Sequence, residues 1–267
     1  MKKGLVKVLV LLTVMPALLM AENFWVGVFA DKAPYPQQTF IETMSFSKFD
    51  SAIQRHWDKG FDIIDVQYGD GRWTALMAKN TGFKGQVFVH QRDLKSFDER
   101  VTNYRREGYQ LLNIDYGEGY WTAVMTKSSE YIDSRYRRLR YGEDIESLIR
   151  TQWQEQYNIV DVEQAEGYTM MVFAKTKNFK PQSYIELDDW EDVTPIIKQR
   201  WKEGYYIENI EYLSSRWFCL FTKGGEGLQA YFVDESLTDD SGYGFKKSIK
   251  TQWDKGFNLI DIAYGRE

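Results

Sequence analysis

Trp57-Asp-Lys-Gly-Phe-Asp-Ile63 is the stretch from which the architecture of this chain can be read, because it recurs along the sequence. Related copies begin at Trp153, Trp201 and Trp253, and a fifth begins at Arg105, where arginine replaces tryptophan. Successive copies start 48, 48, 48 and 52 residues apart. Self-similarity with a period of this size is typical of repeat architectures. The sequence therefore predicts five repeated units.

Each unit is predicted to contain one helix followed by three strands. Phe49, Ile53 and Trp57 are spaced as one apolar face of a helix. Gly60 follows at the position where helices commonly end in left-handed geometry. An alternating run and a glycine-containing turn then predict a β-hairpin, whose second strand opens with tryptophan. A third strand begins with glutamine, as at Gln86.

The tryptophans that end the helical faces are predicted to be buried against their own sheets. They are Trp57, Trp153, Trp201 and Trp253. Arg105 is the exception, and we expect its stem to cover the same site while its charged head stays in water.

The two ends of the chain are predicted to meet in one unit. The fifth copy stops at Glu267, where its second strand should begin, and Trp25–Ala30 matches that missing strand. The expected fold is therefore an α+β repeat, a closed α/β-propeller-like ring of five α-β-β-β units, because closure removes exposed sheet edges. The predicted repeat domain spans residues 22–267, with units at about 46–95, 96–140, 141–188, 189–235 and 236–267 plus 22–45.

Residues 1–21 are predicted to be a secretory signal peptide, because a basic start precedes a short apolar run and a small residue. An uncleaved membrane anchor is the alternative, but the run is shorter than the ~20 residues of a typical span. We therefore expect a periplasmic or secreted protein without membrane insertion after cleavage.

The net charge of −5 means that basic residues are not in excess over the chain, so nucleic acid is not an expected partner. One cysteine excludes an internal disulfide.

The motifs Trp57-Asp-Lys-Gly-Phe-Asp-Ile and Trp121-Thr-Ala-Val-Met-Thr-Lys resemble the tandem repeats of unknown function at the C-terminus of plant casein-kinase-1-like kinases. The resemblance covers the repeat region, residues 22–267, and no kinase motif. The predicted architecture is similar to the five-bladed α/β-propellers of the pentein group. These resemblances imply the fold and a binding or scaffold role, and they supply no catalytic residue to carry over.

Polar residues recur at two positions of the first strand. The first position holds Asp65, Asn113, Asp161, Asn209 and Asp261. Two residues later, on the same face, stand Gln67, Asp115, Glu163, Glu211 and Ala263. If this strand lines a central channel, the residues form an acidic ring that favours a small cationic ligand, and calcium is the metal that such oxygen ligands suit. Alternatively, each side chain braces the fold by hydrogen-bonding a neighbouring backbone.

Two further sets of residues repeat along the second strand. Lysines end it in four units, at Lys79, Lys127, Lys175 and Lys223. Either these lysines balance the negative charge of the acidic ring at one mouth of the channel, or they are solvated strand ends. Tryptophans open the same strand at Trp25, Trp73, Trp121 and Trp217, and we expect them to pack inside the units.

Three functions remain open. We favour a non-catalytic binding or scaffold protein, expected to be monomeric and to bind an unknown protein or a small cationic ligand, without a cofactor unless calcium binds. The alternatives are a hydrolase acting through paired carboxylates, such as Asp115 and Glu163, and a structural component of the cell envelope.

Cys219 occupies a small or apolar strand position and is predicted to be a packed core thiol. A single carboxyl group with a pKa raised far above its equivalents would favour the enzyme.

Overall fold

Within residues 23–128, 130–237 and 244–266, which the computed structural model describes, the chain alternates strands with helices. The strands are β1 (Asn23–Ala30), β2 (Gln38–Thr43), β3 (Asp62–Gly69), β4 (Arg72–Ala78), β5 (Gln86–Gln91), β6 (Gln110–Gly117), β7 (Tyr120–Thr126), β8 (Tyr131–Arg140), β9 (Asn158–Ala165), β10 (Tyr168–Thr176), β11 (Gln182–Leu187), β12 (Tyr205–Leu213), β13 (Arg216–Lys223), β14 (Gln229–Asp234) and β15 (Asn258–Arg266). The helices are α1 (Phe46–Trp57), α2 (Leu94–Arg106), α3 (Ile145–Gln154), α4 (Trp190–Lys202) and α5 (Phe245–Asp254).

The strands form five three-stranded antiparallel sheets, each covered by one helix. Sheet I has the order β2-β4-β3, sheet II β5-β7-β6, sheet III β8-β10-β9, sheet IV β11-β13-β12 and sheet V β14-β1-β15. The N-terminal strand β1 is the centre of sheet V, where Trp25 lies opposite Tyr264 on one side and Asp234 on the other. The prediction that this strand completes the last sheet is confirmed.

One assignment from the repeat alignment is wrong. It places Gln38–Thr43 in the last unit, but this strand pairs with β4 in sheet I, with Gln38 opposite Ala78. Every third strand likewise pairs with the hairpin that follows it, so each sheet within residues 38–223 has the chain order β-α-β-β. Residues 44–45 alone join β2 to α1, whereas residues 79–85 separate β4 from β5. The short link keeps each strand beside the helix that follows it.

The predicted signal peptide, residues 1–21, lies outside the described residues. Among the residues that the structure does describe, we find no helix with the length and apolar character needed to cross a membrane.

The helices pack as their apolar faces predict, with one difference. Phe49 and Ile53 of α1 are buried, and Gly60 has φ +78°, as expected for the helix end. In sheet III, Gln156 takes this left-handed conformation instead, at φ +63°. The helix-ending tryptophans were expected to be buried, but they are only partly buried: Trp57, Trp153, Trp201 and Trp253. The strand-opening tryptophans are fully buried, as predicted: Trp25, Trp73, Trp121 and Trp217.

A glutamine joins each of these helix-ending tryptophans to the neighbouring sheet. Gln86 of sheet II accepts from Trp57 Nε1 (3.0 Å) and from the backbone N–H of Ile63 in sheet I (2.6 Å). Its Nε2 donates back to the Ile63 carbonyl (2.8 Å). We call this arrangement the tryptophan–glutamine bridge. It recurs in the pairs Trp153–Gln182, Trp201–Gln229 and Trp253–Gln38.

The junction between sheets II and III lacks both members of the bridge. Arg105 occupies the tryptophan position and Ser134 the glutamine position. The Ser134 hydroxyl still accepts from the backbone N–H of Leu111 (2.6 Å), but it cannot also satisfy the carbonyl and a tryptophan. Arg105 keeps its head at the surface, as predicted, and pairs with Asp133 at 3.3 Å.

Installing the missing bridge is expected to stabilise the protein. The double variant Arg105→Trp/Ser134→Gln should raise the free energy of unfolding by about 1–2 kcal/mol, because it adds hydrogen bonds at a buried backbone site. The measurement is denaturant unfolding of both single variants and the double variant. Since neither side chain can form the bridge alone, the two effects should be strongly non-additive. Simple additivity would contradict the bridge as an energetic unit.

Candidate functional site

The candidate polar residues lie on five strands that touch one another. These are β3, β6, β9, β12 and β15, which we call the connecting strands, because each contacts a connecting strand of an adjacent sheet, and β15 also contacts β3. Each has a β-bulge directly before its aspartate or asparagine, where the pairing register skips one residue. A bulge re-aims the following side chain. The bulges therefore turn these residues toward the adjacent sheet.

The first set of polar side chains binds the backbone of neighbouring sheets. Asp65 Oδ2 accepts from the N–H of Ile262 (3.1 Å), and its Oδ1 accepts from Asn113 Nδ2 (3.1 Å). Asp161 accepts from the N–H of Ile114 (2.6 Å). These bonds join sheet V to sheet I, sheet I to sheet II and sheet II to sheet III.

The same contact recurs between sheets IV and V. Asp261 accepts from the N–H of Ile210 (2.8 Å) and from Asn209 Nδ2 (3.2 Å). Of the two uses proposed for this position, the geometry therefore favours bracing, in which the side chain satisfies a neighbouring backbone donor.

The second set of side chains meets in a common buried region. Asp115 of sheet II and Glu163 of sheet III lie close enough for a hydrogen bond between them when one of the two carboxyl groups carries a proton. With its amide oriented to donate, Gln67 of sheet I lies 3.3 Å from Glu211 Oε1 of sheet IV. Side chains from sheets that are not consecutive in the chain thus meet at one point.

We call the six carboxyl groups of this region the acidic centre. They are Asp65, Asp115, Asp161, Glu163, Glu211 and Asp261. Burial is the main cause that raises the pKa of each, and in all of them except Asp115 repulsion from other carboxylates adds to it. The pKa of Asp161 rises to about 7 and that of Asp261 to about 8. Because all six pKa values are raised together, no single carboxyl group stands out as a catalytic acid.

The acidic centre is poorly arranged for glycoside hydrolysis. Paired glycosidase carboxyl groups stand about 5–9.5 Å apart so that a sugar or water fits between them, whereas Asp115 and Glu163 lie close enough to share a proton. Asp115 is also only 2% exposed. Within residues 23–128, 130–237 and 244–266, no group of three or more His, Cys, Asp or Glu side chains is arranged to hold a metal ion.

The four strand-ending lysines lie away from the acidic centre, each over an aromatic ring. The pairs are Lys79 with Phe61 (4.7 Å to the ring centre), Lys127 with Tyr109 (4.5 Å), Lys175 with Tyr157 (5.6 Å) and Lys223 with Tyr205 (5.1 Å). These are cation–π contacts. They give the lysines a structural role at the start of each connecting strand.

The single thiol is not available for catalysis. Cys219 has no exposed surface, and burial raises the pKa of its thiol. The prediction of a packed core residue is confirmed.

The contacts between sheets depart from the repeat beside sheet III. At three junctions a tyrosine packs against a glycine near the end of the neighbouring connecting strand: a Cβ atom would lie 2.2 Å from Tyr68 on Gly117, 2.3 Å from Tyr264 on Gly69 and 2.6 Å from Tyr212 on Gly265. Between sheets II and III, Ala165 holds the glycine position and belongs to the same apolar cluster as Tyr116. Between sheets III and IV the corresponding residues are Gln164 and a leucine. The aromatic contact is therefore missing at this junction.

A cleft of about 190 Å³ lies at this junction. Arg140, Gln164, Leu213 and Arg216 are among the residues that line it. Both junctions of sheet III thus differ from the common pattern, one in its bridge and the other in its turn contact.

Sequence reasoning recognised the repeated glutamines but missed their role. The signal was their nearly constant distance from the helix-ending tryptophan, 29 residues from Trp57 to Gln86 and from Trp153 to Gln182, and 28 from Trp201 to Gln229. The joint loss of both residues, at Arg105 and Ser134, was a second signal. The arginines of β8 were also missed, although the other third strands have no such charge.

The model of a family described as a domain of unknown function, DUF7477, matches residues 96–266. No curated protein matches the chain.

The acidic centre predicts that stability falls as pH rises. Its carboxyl groups have higher pKa values in the folded than in the unfolded chain, so the folded state holds more protons between about pH 4 and pH 8. The free energy of unfolding should therefore decrease across this interval. In Asp161→Asn the amide keeps an acceptor for the Ile114 N–H, so the variant should match the wild type near pH 4 and exceed it at pH 8.

Thermal unfolding measured from pH 4 to pH 8 tests this prediction. The matched control is Glu107→Gln, which removes an exposed carboxylate and should leave the pH profile unchanged. Identical profiles for the wild type and Asp161→Asn would rule out Asp161 as a source of the pH dependence.

Proposed function

The chain belongs to the DUF7477 family, and from its geometry we propose that it is a non-catalytic binding or scaffold protein. The five sheets form a closed, propeller-like ring that holds recognition surfaces rigidly, and the protein works in the periplasm or outside the cell. The single observation that carries the proposal is that the repeated polar residues are used to join one sheet to the next.

Ring closure is supported by the contacts between the first and last sheets. Asp65 of sheet I accepts from the N–H of Ile262 in sheet V, and Gln38 of sheet I bonds both the N–H and the carbonyl of Leu259 in sheet V. Tyr264 also lies on Gly69. Equivalent contacts join sheets that are consecutive in the chain. Sheets I and V are thus joined by the same kinds of contact as consecutive sheets, which is what a closed ring requires.

A binding role is supported by where the repeat is broken. Residues that serve the fold recur from sheet to sheet, whereas a recognition site needs residues that do not. The departures Arg105, Ser134 and Gln164 all flank sheet III. This concentration favours recognition through sheet III over chemistry at the acidic centre.

Several finer expectations stay predictions. They are the kinship with the kinase-associated repeats and with pentein rings, the monomeric state, and the binding of calcium or another cation by the acidic centre.

Deleting residues 23–37 tests closure, because it removes the central strand of sheet V. In a closed ring, hydrogen exchange should accelerate in both neighbouring connecting strands, β3 of sheet I and β12 of sheet IV. In an open array sheet V adjoins sheet IV alone, so β3 would stay protected. The measurement is hydrogen–deuterium exchange of the full chain and the deletion variant, and protection of β3 in the variant would overturn the ring.

Binding without turnover tests the proposed function. The wild type and Glu163→Gln, which can still donate to Asp115, should be retained equally on arrays of glycans and peptides and should leave those ligands intact. Glu107→Gln is the surface control. Mass spectrometry of the eluted ligands provides the readout. Cleavage by the wild type that disappears in Glu163→Gln would overturn the proposal in favour of a hydrolase.

A further inference from the structure

Basic side chains gather around Tyr157, which follows helix α3 in sheet III. The Arg135 guanidinium lies 3.8 Å from the centre of the Tyr157 ring, and Lys175 Nζ lies 5.6 Å from it. The Tyr157 hydroxyl donates to Asp133 Oδ2 (2.7 Å), and Arg105 binds the other oxygen of that carboxylate (3.3 Å). One tyrosine thus holds together residues from α2, β8 and β10.

Arg137 belongs to the same group but has no carboxylate partner among the described residues. Its Nη1 donates to the carbonyl of Tyr136 (3.2 Å). Burial lowers the pKa of the Arg137 guanidinium, and repulsion from Arg135 and Arg105 lowers it further, while attraction to the Glu155 carboxylate, which already pairs with Arg135, opposes these effects. A partly buried cation beside like charges is unfavourable unless an anion accompanies it.

The other four sheets show that the fold does not need this charge. Arg137 of β8 lies opposite Met171 of the central strand, and at the equivalent register position the other third strands have Ile41, Val89, Ile185 and Phe232. Each of these packs with the helix of its own sheet. At the position of Arg135 they have Thr39, Val87, Ser183 and Ala230, which are uncharged. An apolar residue would therefore serve the architecture better than Arg137 does.

We call Arg105, Arg135, Arg137 and Lys175 the arginine cluster. The carboxylates among them are Asp133 and Glu155; Glu155 pairs with Arg135. Two positive charges are left over in a chain whose net charge is −5. Both carboxylates are about half exposed, so the cluster opens to solvent.

We propose that the arginine cluster binds a phosphate- or sulfate-type dianion, with Arg137 as its main ligand. Guanidinium groups bind tetrahedral oxyanions through paired N–H donors, and a dianion matches the two unbalanced charges. This inference rests on the proposed binding function and names its ligand class.

Thermal unfolding with inorganic anions tests the site. At pH 7.5, 10 mM phosphate or sulfate should raise the Tm of the wild type by about 3–5 °C, if the Kd is near 1 mM. Sodium chloride at equal ionic strength and sodium acetate are the comparison salts, and both should give less than about 1 °C. Separate phosphate and sulfate titrations by calorimetry decide which oxyanion binds more tightly.

Two variants locate the binding. Arg137→Leu copies the other sheets, so it should unfold at a higher temperature without anion and lose the phosphate shift. Arg138→Ala removes the adjacent arginine, which pairs with Asp98 at 3.4 Å, and should keep the shift. A phosphate shift that equals the chloride shift, or that survives in Arg137→Leu, would overturn the site. Neither result would affect the proposed binding function, which the ligand arrays and Glu163→Gln test separately.

Discussion

Side-chain bonds to the backbone of the next sheet are the interaction on which this structure depends. One repeat unit of about 48 residues buries too little of its apolar surface by itself, so each sheet depends on contacts with its neighbours for stability. Asp65, Asp161 and Asp261 bind neighbouring N–H groups directly, and Gln86 with its equivalents binds both the N–H and the carbonyl of a connecting strand. Because these bonds are directional, they also fix how each sheet is oriented toward the next.

This way of joining sheets concentrates acid groups in a buried place. Asp161 and Asp261 are buried, as are Asp115 and Glu211 at the second position, whereas Asp65 and Glu163 are partly buried. Burial then raises the pKa of every carboxyl group in the acidic centre. The same geometry that satisfies backbone donors therefore makes the protein sensitive to alkaline conditions. An acidic centre of this kind follows from assembly and requires no ligand to explain it.

The repeat, the helices and the hairpins could be predicted from the sequence, since each depends on local spacing such as Phe49, Ile53 and Trp57. The pairing of β2 could not, because alignment shows which segments are alike and not which are neighbours. The bond from Trp57 to Gln86 could not be predicted either, because its acceptor comes from another sheet. The arginine cluster could not be predicted either, because Arg105, Arg135 and Lys175 approach one another only through Tyr157.

The position of β1 in sheet V has a consequence for how the chain reaches its folded state. Strand β1 pairs with β15, and Asn23 lies opposite Arg266. Sheet V therefore cannot form on the ribosome before nearly the whole chain has been synthesised. Closing so long a loop is slow because its conformational entropy is lost before the final contacts form. Until then the other sheets would exist as an incomplete assembly with two unprotected ends, and this interval is when the chain is most exposed to aggregation and proteases.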